Sequence, residues 1–391
     1  MRIALFSDSL LPVLNGVSVS VDSLVTELRN KGHSVHIFAP QFPGLQEADP
    51  NTYRFRSVEM PFGKGFPLAY PPYIRMLRKF RRHEFDVIHT HTIGILGFLG
   101  LRWAESHGLP IVATYHTLYD RYAHYVPYLP RRYARFKIAK HTNFYYNSVD
   151  HVITPSEASL RWLRRHSVTR PASVIPTGVR PPGFFSRAET RRRLGISPDQ
   201  RILLFVGRLA IEKNMETLFE AAAMVMADDP AVRLWVVGDG PYREACHRLA
   251  RKFSIGDRVK FVGFVPRNDV DPYYAAADLF VFASVTETQG LVVQEAMTYG
   301  LPPVLVDGGG AGAGVESGVN GVLVRNDPAA FAAAISGVLA DDDVLARLGD
   351  HASRSVRGDG PSVMADKVVS VYETVLRARD DSSAKVYASV K

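Results

Sequence analysis

The chain has 391 residues, 46% of them hydrophobic and 22% charged, which is too long for one ordinary domain and apolar enough to fill two cores. Its one cysteine, Cys246, excludes an intrachain disulfide and fits a reducing compartment. The formal charge of +8 is uneven: residues 1–185 carry 23 Lys/Arg against 12 Asp/Glu, net +11, and residues 186–391 carry 24 against 27, net −3. A basic first half points to an anionic partner, a membrane surface or nucleic acid.

Met1-Arg2-Ile3-Ala4-Leu5-Phe6 turns polar at Ser7-Asp8, too soon for a signal peptide, and reads as a first buried strand. The charge-poor stretch 87–101 holds two histidines and falls short of the ~20 apolar residues a membrane span needs. Short aliphatic runs alternate with helical-period segments, the pattern of an α/β fold whose helices cover parallel sheets. Strands are predicted at 3–6, 35–38, 86–89, 111–114 and 151–154. The first helix is predicted at 17–30, with Val17, Val21, Leu24, Val25 and Leu28 on one face. The Pro/Gly-rich run 175–183 breaks the alternation and is the expected linker, giving domains 1–183 and 184–391. A second series follows, with strands at 202–206, 233–237, 259–261, 279–282, 303–306 and 321–324. A closing helix, 363–377, is free to pack back on the first domain.

Ligands of open parallel sheets bind beyond the carboxyl ends of strands, where helix N-termini offer unbonded amides. After the strand ending at Val206 comes Gly207-Arg208-Leu209-Ala210-Ile211-Glu212-Lys213-Asn214. Arg208 can fork onto a phosphate there, and Lys213 supplies a mobile point charge. After the strand ending at Phe282, Glu287 and Glu295 stand eight residues apart, the first in a loop and the second on a helix. With that helix starting near Gln289, the amides of Gly290 and Leu291 face an anion and Glu295 sits about two turns in. A carboxylate so placed accepts from vicinal hydroxyls, and Glu287 is placed to do the same for a sugar ring. Separately, each loop also reads as a solvated surface loop; together the two loops point to a phosphate-bearing ligand.

These residues resemble the retaining glycosyltransferases of family 4, across nearly the whole chain. The resemblance is carried by Gly207-Arg208 with Lys213-Asn214, by the Glu287 to Glu295 spacing, by Val237-Gly238-Asp239-Gly240-Pro241, and by Asn15-Gly16-Val17. It implies the GT-B fold: two facing Rossmann-like parallel-sheet domains, with the cleft between them as active site. It also implies that Arg208 and Lys213 hold the diphosphate of a nucleotide-sugar, with Gly290, Leu291 and Val292 at the helix start. Glu295 would take the ribose and Glu287 the transferred hexose. Gly16 would close on the phosphates, Gly263 and Phe264 would meet the base, and His116, in Thr114-Tyr115-His116-Thr117, would lie near the sugar. The catalytic set is then His116, Glu287, Arg208 and Lys213, with retention by same-face attack. No cofactor is implied, the nucleotide-sugar being a substrate, and a divalent metal is not strictly required. His89-Thr90-His91 with His116 makes a zinc site conceivable, but no third carboxylate or thiol at ligand spacing favours it. Asp341-Asp342-Asp343 reads as a solvated helix cap.

Thr114-Tyr115-His116-Thr117-Leu118-Tyr119-Asp120 and Thr286-Glu287-Thr288-Gln289-Gly290-Leu291 look most like the bacterial diacylglycerol glycosyltransferases. That implies a lipid acceptor, a monohexosyl glycolipid product and, by preference, a UDP-hexose donor. Gly308 to Gly314 departs from the Pro-containing turn of many relatives. Residues 72–82 place Tyr73, Ile74, Leu77 and Phe80 along one side, ringed by Arg75, Arg78, Lys79 and Arg82, the pattern of an interfacial helix. A second aromatic and basic stretch, 119–146, adds Tyr119 and Tyr122 on the acceptor side. The expectation is a cytoplasmic protein held peripherally on the anionic inner face of the cell membrane. One alternative is a family 4 enzyme acting on a polyprenyl-linked or soluble saccharide. A nucleotide- or nucleic-acid-binding module is another, but the phosphate loops fall in the acidic half, away from the basic groove that a strand binder needs. No nucleic acid partner is therefore expected.

Overall fold

The computed structural model describes residues 1–59, 67–70, 73–118, 130–358 and 360–389. Tyr119 and Tyr122 lie outside that set. The chain divides into two compact units, Met1–Gly178 with Pro361–Lys391, and Val179–Gly360.

The described residues of the first unit form nine strands: β1 (Arg2–Phe6), β2 (Ser34–Pro40), β3 (Thr52–Phe55), β4 (Ser57–Glu59), β5 (Pro67–Ala69), β6 (Val87–Thr90), β7 (Ile111–Thr114), β8 (His151–Thr154) and β9 (Ala172–Val174). Seven form a parallel sheet in the order β3-β2-β1-β6-β7-β8-β9, and β4 pairs antiparallel with β5. β1, β6, β7 and β8 are buried throughout apart from Arg2, as strands covered on both faces must be. One cover is the helix Gly16–Asn30. Its N-cap Asn15 accepts from the amides of Val17 and Ser18 in a capping box, which fixes where the helix starts. The C-terminal helix Pro361–Ser389 belongs to this layer. Its Met364, Ala365, Val368, Val371, Tyr372 and Val375 share a core with Val21, Leu24, Val25 and Leu28.

The second unit carries β10 (Arg201–Val206), β11 (Val232–Val237), β12 (Val259–Gly263), β13 (Leu279–Phe282), β14 (Pro303–Val306) and β15 (Val322–Val324). All are parallel, in the order β12-β11-β10-β13-β14-β15. At the opposite end of the sheet from the candidate loops, the buried carboxylate of Asp278 accepts from Arg187, Arg191 and the amide of Ile202. In each sheet the strand order reverses beside one strand, β1 against β6 and β10 against β13. Crevices for ligands form at such switch points.

Candidate active site

The two cation- and carboxylate-bearing loops of the second unit leave the adjacent strands β10 and β13, so the switch point itself brings them together. The turn Ile211–Lys213 docks on the loop after β13, where the Thr286 hydroxyl donates to the carbonyl of Glu212 and Ser284 Oγ lies 3.2 Å from the same carbonyl. Asn214 follows in the left-handed region, and its amide donates to the carbonyl of Ala283. Lys213 is thereby aimed along β13: its Nζ lies 2.5 Å from Glu287 Oε1 and 5.7 Å from the ring of Phe282. Glu287 also accepts from Ser284 Oγ at 2.8 Å. Burial pushes the Glu287 carboxyl up, but the Lys213 charge and the hydrogen bonds from Lys213 and Ser284 together hold it below its usual value. Arg208, half-buried, stands in the same loop.

The helix after Glu287 is Leu291–Thr298, with Gly290 as its N-cap at φ 75. Glu295 is its fifth residue, so it sits little more than one turn in, not two: the start lies later than predicted because Gly290 takes a left-handed cap. Leu291 and Val292, in the first turn, have no carbonyl a turn earlier to bond, which leaves amides for an anion. A Cβ on Gly290 would meet Ala311 Cα at 2.8 Å, and one on Gly310 would meet the Thr288 carbonyl oxygen at 2.0 Å. The Gly308 to Gly314 run is thus glycine-rich because it lies backbone to backbone on the Glu287 loop; the amide of Gly310 donates to the Glu287 carbonyl.

Glu295 accepts from Arg267 at 3.2 Å and from the Tyr274 hydroxyl at 3.1 Å, groups that follow β12. Burial pushes its carboxyl above the usual value in spite of Arg267 and Tyr274. Gly263 closes β12, its carbonyl accepting from Gly238, and Phe264 beside it is 62% exposed. A Cβ on Gly238 would strike the Gly207 carbonyl oxygen at 2.0 Å, so the loops after β10, β11 and β12 also interlock through backbone.

In the first unit, Gly16 opens its helix, and a Cβ there would meet nothing within 4 Å. His116 follows β7, and its Nε2 lies 2.9 Å from His91 Nδ1. Burial pushes its imidazole down to about 4. His89 is bonded to the Thr114 and Tyr372 hydroxyls, so the three histidines spend nitrogens on protein partners. Among the described residues no group of three His, Cys, Asp or Glu side chains is arranged to hold a metal. Asp341 caps the helix Asp342–Ser355 by accepting from Asp343 and Val344, and Asp342 pairs with Arg201.

Residues 72–82 differ from expectation. Phe80 is buried, and Tyr73, Met76 and Leu77 pack on the core of the first unit, leaving only Ile74 of the apolar side exposed, at 61%. Arg75, Arg78 and Arg82 are exposed, whereas Lys79 lies over the Tyr53 ring at 5.1 Å. The helical period found an amphipathic helix, but its apolar side faces the protein. Exposed aromatics instead stud the helix Arg131–Asn147, where Tyr133, Phe136 and Phe144 stand among exposed Arg132, Arg135, Lys137 and Lys140. Residues that sequence spacing did not flag are Arg267 and Tyr274; each acts through Glu295, far along the chain, and no local pattern marks such pairs.

Residues 14–181 match the family described as Glycosyltransferase Family 4, and residues 186–355 match Glycosyl transferases group 1. An alpha-monoglucosyldiacylglycerol synthase of Streptococcus pneumoniae is 34% identical over 78% of this chain and 70% of its own length. The alpha-monoglucosyldiacylglycerol synthase of Acholeplasma laidlawii is 31% identical over 95% and 96%. Among solved structures, a sucrose-phosphate synthase from Thermosynechococcus elongatus superposes with a TM-score of 0.80 at 26% identity, covering 96% of this chain and 99% of that one. Two Rossmann-like parallel-sheet units, the two family matches and these relatives together establish that the chain is a glycosyltransferase of family 4 with the GT-B fold.

Proposed function

We propose that the enzyme transfers a hexose, with retention, from a nucleotide-sugar, UDP-hexose for preference, to the hydroxyl of diacylglycerol, giving a monohexosyl glycolipid. The observation that carries the reading is the Lys213 and Glu287 pair beside the open start of the helix Leu291–Thr298. Breaking a sugar-phosphate bond develops negative charge on the departing diphosphate and positive character on the sugar. Arg208, Lys213 and the amides of Leu291 and Val292 stabilise the first, and ionised Glu287 favours the second. Glu295 takes the ribose hydroxyls, Gly263 and Phe264 the base, and Gly16 the phosphates. His116 bonds to the hexose. The acceptor's proton passes to a donor phosphate oxygen as its own oxygen bonds the anomeric carbon on the face the phosphate leaves.

The lipid acceptor is supported by the named activity of the two bacterial relatives and by the basic first half of the sequence. Among the described residues no helix is long and apolar enough to cross a membrane. Peripheral docking on anionic lipid suits such a chain, with the Arg131–Asn147 face as the stronger candidate and Arg75, Arg78 and Arg82 as flanking charge. The test is a panel of labelled UDP- and GDP-hexoses with diacylglycerol vesicles, a polyprenyl-linked saccharide and soluble sugars, followed by anomeric analysis of the product. A labelled α-hexosyl diacylglycerol is expected; product only with a saccharide acceptor overturns the lipid reading, and an inverted anomer overturns retention.

A further inference from the structure

We infer that Arg267 is a positioning residue for the ribose: acting with Tyr274, it fixes the plane of the Glu295 carboxylate so that this group meets two vicinal hydroxyls together. The two protein bonds fall on different oxygens. Arg267 Nη2 lies 3.2 Å from Oε1, and the Tyr274 hydroxyl lies 3.1 Å from Oε2. A carboxylate held at one oxygen can still turn about its last torsion; held at both, it keeps one plane. An ionised carboxylate has about four acceptor positions, so two bonds to protein leave one position on each oxygen, the arrangement that a vicinal pair of hydroxyls requires. Arg267 reaches one oxygen through one nitrogen; a fork across both would have filled the positions a sugar needs.

The surroundings hold this arrangement in place. The Arg267 and Glu295 side chains are each 19% exposed and Tyr274 is buried, so water competes for the pair far less than at a surface ion pair. Arg267 opens the turn Arg267–Asp269, and that turn is tied down from outside. Arg180, the second residue of the second unit, donates to Asn268 Oδ1 at 3.1 Å and to the Arg267 carbonyl at 3.4 Å. Arg267 Nε is buried with no hydrogen-bond partner among the described residues, a cost that a guanidinium satisfying its own donors would avoid. The turn thus places the group for Glu295. Tyr274 comes from the helix Asp271–Ala276 and Glu295 from Leu291–Thr298, so three elements converge on one carboxylate. This deepens the proposed ribose role of Glu295 and rests on it.

Calorimetry with UDP, 2′-deoxy-UDP and 3′-deoxy-UDP, and with the corresponding guanosine set, tests the inference. Wild type should bind the ribonucleotide of its own set about tenfold more tightly than either deoxy form, as loss of a charge-assisted hydrogen bond implies. Arg267→Met, which keeps the stem and removes the donors, should shrink that preference to about twofold or less, with affinity for the deoxy forms within about twofold of wild type. Arg267→Lys should restore part of the preference, and Tyr274→Phe, which loses only a hydroxyl, should reduce it. An undiminished preference in Arg267→Met overturns the inference, as does an equal loss of affinity for ribo and deoxy forms, which marks a merely structural role. Tighter ribonucleotide binding by Arg267→Met also overturns it, because Arg267 would then compete with the ribose. A wild type that binds all three nucleotides of either set equally instead removes the ribose role of Glu295 itself.

Discussion

Replacing Lys213 with methionine keeps its stem and removes its charge, and the structure sets what should follow. The Lys213 and Glu287 side chains are 15% and 20% exposed, so the pair is largely out of water. Breaking a fully buried pair costs about 3–5 kcal/mol, because one charge is left behind; the residual exposure lowers this to about 2–3 kcal/mol at pH 7. The pH dependence has a definite sign. In the wild type Glu287 lies below its usual 4.5, so the pair's contribution is present above about pH 4–5 and is lost as pH falls through the lowered value. Without Lys213, burial dominates and Glu287 binds its proton more readily folded than unfolded, so the variant's deficit shrinks on acidification. Adding Glu287→Gln removes the orphan charge and should return about 1–2 kcal/mol. Activity should not follow stability: each variant, and the double, should lose roughly 10²–10³-fold in transfer. Urea denaturation at pH 5 and 7, beside transfer assays, measures both. A Lys213→Met protein as stable as wild type at pH 7, or a double variant less stable than the single, refutes the reasoning.

Because the Glu295 carboxyl is raised by burial, nucleotide affinity should fall as pH drops through that raised value; titration calorimetry with UDP between pH 5 and 8 tests it, and a flat profile counts against a ribose role. At pH 7, Glu295→Gln should weaken UDP binding about tenfold, as loss of a charge-assisted hydrogen bond implies. Arg208→Ala should weaken donor binding, measured by the same titration. Reversing Arg132, Arg135, Lys137 and Lys140 to Glu should abolish flotation with anionic vesicles, each exposed cation contributing about 1 kcal/mol near such a surface. Nucleotide affinity should be unchanged, and a reversed protein that still floats excludes this face as the anchor.

Much of the fold was legible in the sequence, because strands buried on both faces write themselves as aliphatic runs. Eleven predicted strands coincide with β1, β2, β6, β7, β8 and β10 to β15 within a residue or two at the ends. β3, β4, β5 and β9 were not. They are short, and where described mostly half-exposed, so Thr52–Phe55 and Ala172–Val174 carry no run to read. The 72–82 segment failed differently. Helical period shows that a helix has an apolar side, but whether that side meets water, lipid or the sheet depends on what the rest of the chain places opposite, here Phe6, Phe38 and Phe85 around Phe80. The C-terminal helix, predicted over 363–377, runs from Pro361 to Ser389.

The site was legible as loops and not as partners, and the two glutamates show why the difference matters. Glu287 and Glu295 are the same residue type, eight positions apart, and the chain around them tells only that the first lies in a loop and the second on a helix. The fold does so by choosing their cations: Lys213 and Ser284 hold Glu287 ionised, while burial prevails over Arg267 and Tyr274 at Glu295. Environments that push two carboxyls apart are how one site assigns two tasks. The consequence reaches the diphosphate. Lys213 is already neutralised by Glu287 at 2.5 Å, so an arriving anion meets a pair with no net charge. The amides at the start of Leu291–Thr298 add attraction for that anion, and Lys213 is expected to act in the chemical step, where the departing diphosphate gains charge.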